Sequence, residues 1–208
     1  MKVGWLTEPS LCRMARGSRR ESHPELPRNS QNGHGSRARL LSSLQGGGMS
    51  ILKRGPGAPL WGIVQRWQGL VIVNEVTTGL GRTGVWCGYR HYGLRPDIVA
   101  LGKRLDNGYP VSAVVMVQDV AGSLENGAFR YAQSHQNDPL GCAIASEVIA
   151  VMREEGVVGR SNRVGTRFVR ELGLLGERHR AVKEVRGKGL MIATEWEKDC
   201  EGISAVSA

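Results

Sequence analysis

Long hydrophobic runs are missing from this chain of 208 residues. No stretch approaches the roughly 18 apolar residues that a membrane-spanning helix needs, so a soluble protein with no membrane partner is expected. Cysteine is sparse and unpaired in spacing. Cys12, Cys87, Cys142 and Cys200 lie far apart, without the short repeats of zinc sites or the density of a secreted disulfide framework. Reduced thiols in a cytosolic-type protein are the reading. The histidines, His23, His34, His91, His135 and His179, show no pair at ligand spacing, so no metal site is expected. Acidic residues are short only at the start: residues 1–60 hold ten of the 28 Lys and Arg but three of the 19 Asp and Glu. The formal net charge of +9 therefore sits mostly in that segment. The remainder is close to neutral, which argues against a nucleic-acid partner.

Residues 1–58 form a basic, low-complexity leader, punctuated by Arg19-Arg20, Gly46-Gly47-Gly48 and Gly55-Pro56-Gly57. It offers too little apolar surface to offset its ordering entropy, so a disordered extension is expected. Glu8, Glu21 and Glu25 interrupt any basic amphipathic helix of the organelle-targeting kind. A cytoplasmic location is the reading, with a mitochondrial one as the alternative.

From residue 59 the composition changes. Leu60 to Trp67 fits a short helix closed by Gly69. Two short β-branched runs follow, Leu70 to Asn74 and Ile98 to Leu101, each leading to a polar group, Asn74 and Lys103. A third run covers Val111 to Val117. Separated by Gly-rich loops, the three read as part of a parallel sheet, where ligands sit at the carboxyl ends of strands. Asn74 and Lys103 are expected at that edge. In the loop between the first two strands, Trp86, Tyr89 and Tyr92 either cover the core or line a binding site.

Gln118 to Asn126 reads as a helix closed near Gly127. Asp138-Pro139 is a strong helix start, an N-cap acid with proline at the first helical position, and the apolar spacing continues to about Glu154. A second helix is expected over Val157 to Leu175, burying Val164, Phe168, Leu172 and Leu175 while its arginines face water. Val182 to Val185 and Leu190 to Glu195 read as strands joined by Arg186-Gly187-Lys188-Gly189.

Gly79-Leu80-Gly81-Arg82-Thr83-Gly84 has the spelling of a dinucleotide-binding fingerprint. That pattern works only when the last glycine opens a helix facing the pyrophosphate and an acid ends the next strand. The residues that follow are poor helix formers, and Asp97 precedes its strand, so the fingerprint is set aside. Lys103 carries more chemistry. An apolar strand delivers it to the ligand-binding edge, and Arg104 beside it would lower its pKa, favouring a nucleophilic amine able to form a Schiff base.

Taken together, Asn74 to Gly84, Pro96-Asp97-Ile98-Val99-Ala100-Leu101-Gly102-Lys103, Asn107-Gly108-Tyr109-Pro110 and Ser134 to Cys142 resemble the class III aminotransferases, pyridoxal-phosphate enzymes of fold type I. The similarity runs from about Gly62 to Glu195. It implies that Lys103 joins the pyridoxal 5'-phosphate cofactor covalently and then shuttles the reaction's proton. It also implies that Val76 packs on the pyridine ring and that Thr77 stands where the family often has a glutamine bonding the phenolic oxygen. Ser134 falls at the family's threonine whose hydroxyl reaches the phosphate of the neighbouring subunit, which implies a homodimer. Arg186 to Met191 resembles the Arg-Gly-x-Gly-Leu-Met segment entering the small C-terminal domain.

Departures from the pattern accompany the matches. Asn74 stands where most of the family has an aspartate paired with the protonated pyridine nitrogen. Arg104 and Asp106 replace residues that are commonly glycine, which strains the loop if either position has positive φ. Residues 1–60 contain nothing resembling the family's phosphate-binding loop or ring-stacking aromatic. The fold expected is therefore α/β: an incomplete fold type I large domain over residues 59–155, with three mostly parallel strands and helices, then a linking helix and part of a small α+β C-terminal domain over 156–208. The expected function is amino-group transfer between a small-molecule amino donor and an oxo acid or aldehyde, carried by a piece of the full enzyme. The alternative is an inactive aminotransferase remnant or interaction protein that pairs with a full-length homologue.

Overall fold

The computed structural model describes residues 38–42, 44–45, 50–51, 64, 69–127, 132 and 136–197. The element order is β1 (Ala38–Ser42), β2 (Leu44–Gln45), β3 (Ser50–Ile51), β4 (Leu70–Asn74), β5 (Ile98–Leu101) and β6 (Ala113–Met116). There follow α1 (Gln118–Asn126), α2 (Pro139–Glu154), α3 (Val157–Arg178), β7 (Val182–Lys188) and β8 (Met191–Trp196). The main sheet has the order β1-β4-β5-β6, and β2 with β3, and β7 with β8, form separate two-stranded ribbons.

β4 and β5 run parallel with Asn74 opposite Ala100. β6, expected to continue a parallel sheet, instead runs antiparallel to β5, with Leu101 opposite Ala113. The reason is the connection: residues 102–112 hold one short 3-10 turn, Lys103–Leu105, and a parallel return needs a crossover of a dozen or more residues, usually through a helix. Ala38–Ser42 is a strand parallel to β4, with Ser42 opposite Asn74. A five-residue strand inside an Arg-, Ser- and Gly-rich segment does not shift the composition that suggested disorder. The expected helix over Leu60 to Trp67 lies outside the described residues except for Val64, which is buried and whose carbonyl accepts from Gly69 N at 2.8 Å.

Strand alternation gives β4 one fully buried face, Val71 and Val73, and one half-buried face, Leu70, Ile72 and Asn74. The buried face joins Val99 and Leu101 of β5, Ala113 of β6, and Ala145 and Ile149 of α2 in one core. α2 starts as its sequence predicts: the Asp138 carboxylate caps Gly141 N at 3.1 Å with proline at the first helical position. It gives way to α3 at Gly156, in a left-handed conformation with φ of 60° that suits glycine.

α3 corrects the expected stripe. Val164, Phe168 and Leu175 are about half exposed (51%, 51% and 49%), while the buried positions are Ser161 and Gly165. The helix seats through its small residues. A Cβ at Gly165 would collide with the Gly189 carbonyl, and one at Gly176 would press on Val182 at 3.1 Å. The β7–β8 ribbon thus approaches the helix backbone more closely than leucine or phenylalanine would allow.

That seating is testable. In an ordinary helix interior, glycine to alanine stabilises by about 1 kcal/mol. Gly165→Ala should do the reverse, destabilising by about 1–3 kcal/mol through overpacking, seen as a lower urea midpoint with an unchanged slope.

Candidate functional site

The site grows from the end of β4. Past the strand the alternation continues, so Glu75 points into the buried layer while Asn74 and Val76 stay half-buried on the other face. Glu75 is only 1% exposed. Its carboxylate accepts from Thr78 Oγ1 at 2.7 Å, Gly88 N at 2.8 Å and Tyr89 N at 2.8 Å. A buried carboxylate is tolerable only when its oxygens are supplied with donors, and these donors fold the loop of residues 75–89 back on the sheet. Glu75 N also donates to Ala100 O at 2.9 Å, locking the ends of β4 and β5 together. Asn74 Oδ1 accepts from Val76 N at 3.1 Å, which turns the chain beyond the strand.

Lys103 leaves the end of β5 through Gly102, and its Nζ donates to Thr77 Oγ1 at 2.9 Å. The Val76 methyls lie near Gly102, so that a Cβ there would meet them at 3.6 and 3.8 Å. Asn74, Val76, Thr77 and Lys103, singled out in the sequence, therefore gather at one sheet edge. Ser134 lies outside the described residues. The strain foreseen at Arg104 or Asp106 falls elsewhere: Asp106 has φ of −96°, and the positive-φ residues of this loop are Lys103 (52°), Asn107 (42°) and Gly108 (101°). A left-handed lysine costs of order 1–2 kcal/mol, and its neighbours hold it there. Leu105 is fully buried, and Tyr109 OH donates to Asp138 Oδ2 at 2.6 Å. That bond raises the Tyr109 pKa above the usual phenol value.

The rings of the 75–96 loop serve the core. Tyr89 is buried, and Trp86 and Tyr92 pack against the cluster. Burial pushes the Tyr89 hydroxyl up to about 12, and burial with the nearby Glu75 charge pushes the Cys87 thiol up to about 12. The G-x-G-x-x-G spelling makes a run of turns, with Gly81 against Val158 and Met152 and Gly84 against Asn162. It opens no helix, as its composition foretold. Glu75 is the functional-site residue that sequence reasoning passed over; the available signal was an acid at an apolar phase of the strand alternation. Arg186 is held on the ribbon, its Nη1 at 2.9 Å from both Glu184 and Glu195.

The chemistry of this edge is specific. It offers a primary amine, a hydroxyl within reach of it, a neutral amide at the neighbouring strand end and an apolar side chain beside the lysine turn. The donor set suits a planar aldehyde with a ring nitrogen, and so fits pyridoxal phosphate.

Comparison with known proteins points the same way. The family model "Aminotransferase class-III" matches residues 40–206. The aminotransferase YhxA of Bacillus subtilis is 35% identical over 161 residues, 75% of this chain and 36% of its own length. The acetylornithine aminotransferase of Caldanaerobacter subterraneus subsp. tengcongensis is 39% identical over 129 residues, 61% of this chain and 31% of its own. Among solved structures, an S-selective transaminase from Arthrobacter sp. superposes with a TM-score of 0.73 at 30% identity, covering 77% of this chain and 35% of that one. The chain thus spans about one third of the length of these relatives.

Two outcomes follow from Glu75 and its loop. Glu75→Gln sets an amide NH2 against a backbone N–H, and should cost about 1–3 kcal/mol in chemical denaturation. Burial, with the Glu75 charge beside it, pushes the Cys87 thiol far above the usual range and so disfavours its reactive thiolate. Peptide mapping after treatment with a thiol reagent should find it unmodified in the native chain and modified once urea exposes it.

Proposed function

Because the chain belongs to the class III aminotransferase family, we propose that it serves pyridoxal-phosphate-dependent transfer of an amino group between an amino donor and an oxo acid or aldehyde. The observation that carries this reading is Lys103: a primary amine at the carboxyl end of β5, bonded to Thr77 and sharing its edge with Asn74. The relatives' names, acetylornithine aminotransferase and S-selective transaminase, support amino-group transfer as the reaction class.

Pyridoxal phosphate, when bound, supplies an electron-withdrawing ring and an aldehyde that captures amines. The chain's own residues do the rest. Lys103 Nζ would hold the cofactor and, once displaced by the incoming amine, would move the proton at the substrate carbon. Thr77, which now accepts from Lys103, would bond the ring hydroxyl. Val76 would exclude water from the ring face and Asn74 would meet the ring nitrogen. Ser134 would reach the phosphate of a neighbouring subunit, which makes a homodimer part of the proposal. The left-handed backbone at Lys103 favours the task, since a chain held in a costly conformation by Leu105 and Tyr109 presents its amine in one place.

Full-length chain mixed with saturating pyridoxal phosphate should show a cofactor-derived visible absorbance. Borohydride reduction should leave a pyridoxyl adduct that peptide mapping assigns to Lys103. Lys103→Ala should abolish both. Absence of the adduct on the unmodified chain overturns the proposal.

A further inference from the structure

Asn74 is an amide whose two ends can be told apart. The atom that meets Val76 N at 3.1 Å must be the oxygen, because a backbone N–H needs an acceptor. The Nδ2 hydrogens are therefore the end available to a ligand. Strand alternation turns this side chain to the half-buried face of β4. Among the described residues, the Glu75 carboxylate accepts from Thr78, Gly88 and Tyr89 in the buried layer, and Asp97 Oδ2 accepts from Val71 N at 2.8 Å near the other end of the strand.

Resting on the function proposed above, we infer that Asn74 donates an N–H to the ring nitrogen of the cofactor and so keeps that nitrogen unprotonated. A protonated nitrogen would need an acceptor, and the Asn74 oxygen is turned back on its own chain towards Val76 N, which leaves the NH2 as the outward end. Flipping the amide to offer its oxygen would set its NH2 against Val76 N–H, two donors face to face. The consequence is a weaker pull on the electrons of the substrate carbon, so the proton that Lys103 moves is held more tightly than it would be with a carboxylate at residue 74. The chain then favours substrates whose own substituents acidify that carbon, such as amines beside a carboxylate or carbonyl group.

The test loads the full chain with pyridoxal phosphate labelled with nitrogen-15 in the ring and reads the chemical shift at neutral pH. The wild type should show a neutral, hydrogen-bonded pyridine nitrogen. Asn74→Asp, whose carboxylate still accepts from Val76 N, should move the signal to that of a pyridinium. It should also speed exchange of the α-proton of a bound amino acid by roughly tenfold, the worth of one pKa unit. A pyridinium signal in the wild type overturns this inference and leaves the proposed function standing. Failure of the wild type to form the Lys103 adduct overturns the proposed function, and this inference with it. The wild-type spectrum decides the matter even if the aspartate variant fails to fold.

Discussion

A carboxylate buried to 1% exposure would be a liability without its three donors, and the geometry of the site follows from how Glu75 meets that need. Its oxygens draw Thr78 from the first turn after β4 and the backbone of Gly88 and Tyr89 from the far end of the loop. The loop cannot move away without stranding the charge. Because side chains alternate, fixing Glu75 inward fixes Asn74 and Val76 on the opposite face. The backbone N–H of the same residue ties β4 to the end of β5, where the lysine loop begins. One side chain thus sets the loop, the face and the spacing of the two strand ends.

The lysine loop is held by a different device. Lys103 sits at φ of 52°, a conformation that relaxes unless both sides of the turn are anchored. The anchors are dissimilar: Leu105 is sunk in the core, and the Tyr109 hydroxyl is bonded to the same carboxylate that caps α2. The amine is thereby tied to the helix that covers the sheet. Rigid elements rather than the loop itself set where Nζ lies, which is the arrangement a covalent cofactor site requires.

What the sequence disclosed, and what it hid, follows the range of each signal. β4, β5, α1 and α2 were legible because their signals are local: β-branched runs, a capping acid before proline, a glycine stop. Asn74, Val76, Thr77 and Lys103 were legible through an ordered series of motifs, and the structure brings them together. β1 was hidden because its sheet contact is with a strand far along the chain and its composition is drowned by its surroundings. The face of α3 was misread because hydrophobic spacing identifies the apolar side, whereas the contact selects the small side. Ser161 and Gly165 leave room for a backbone to approach, a property that hydrophobicity does not report. Glu75 was missed because a polar residue just past a strand reads as the start of a loop.

The Gly79–Gly84 run illustrates how a motif can keep its spelling and lose its usual meaning. Its glycines are needed for contact rather than for phosphate. A Cβ at Gly84 would meet Asn162 Oδ1 at 2.8 Å, and one at Gly189 would collide with the backbone of Thr83 and Gly84. Leu190 N donates to Arg82 O at 2.9 Å across the same junction. The run is therefore where the β7–β8 ribbon and α3 are keyed onto the loop that Glu75 holds. Since that loop begins at Asn74 and Val76, the ribbon and these two residues are supported by opposite ends of a single turn structure. Backbone hydrogen bonds from Leu190 N to Arg82 O, from Arg82 N to Gly79 O and from Gly79 N to Glu75 O link the ribbon to the residue that follows Asn74.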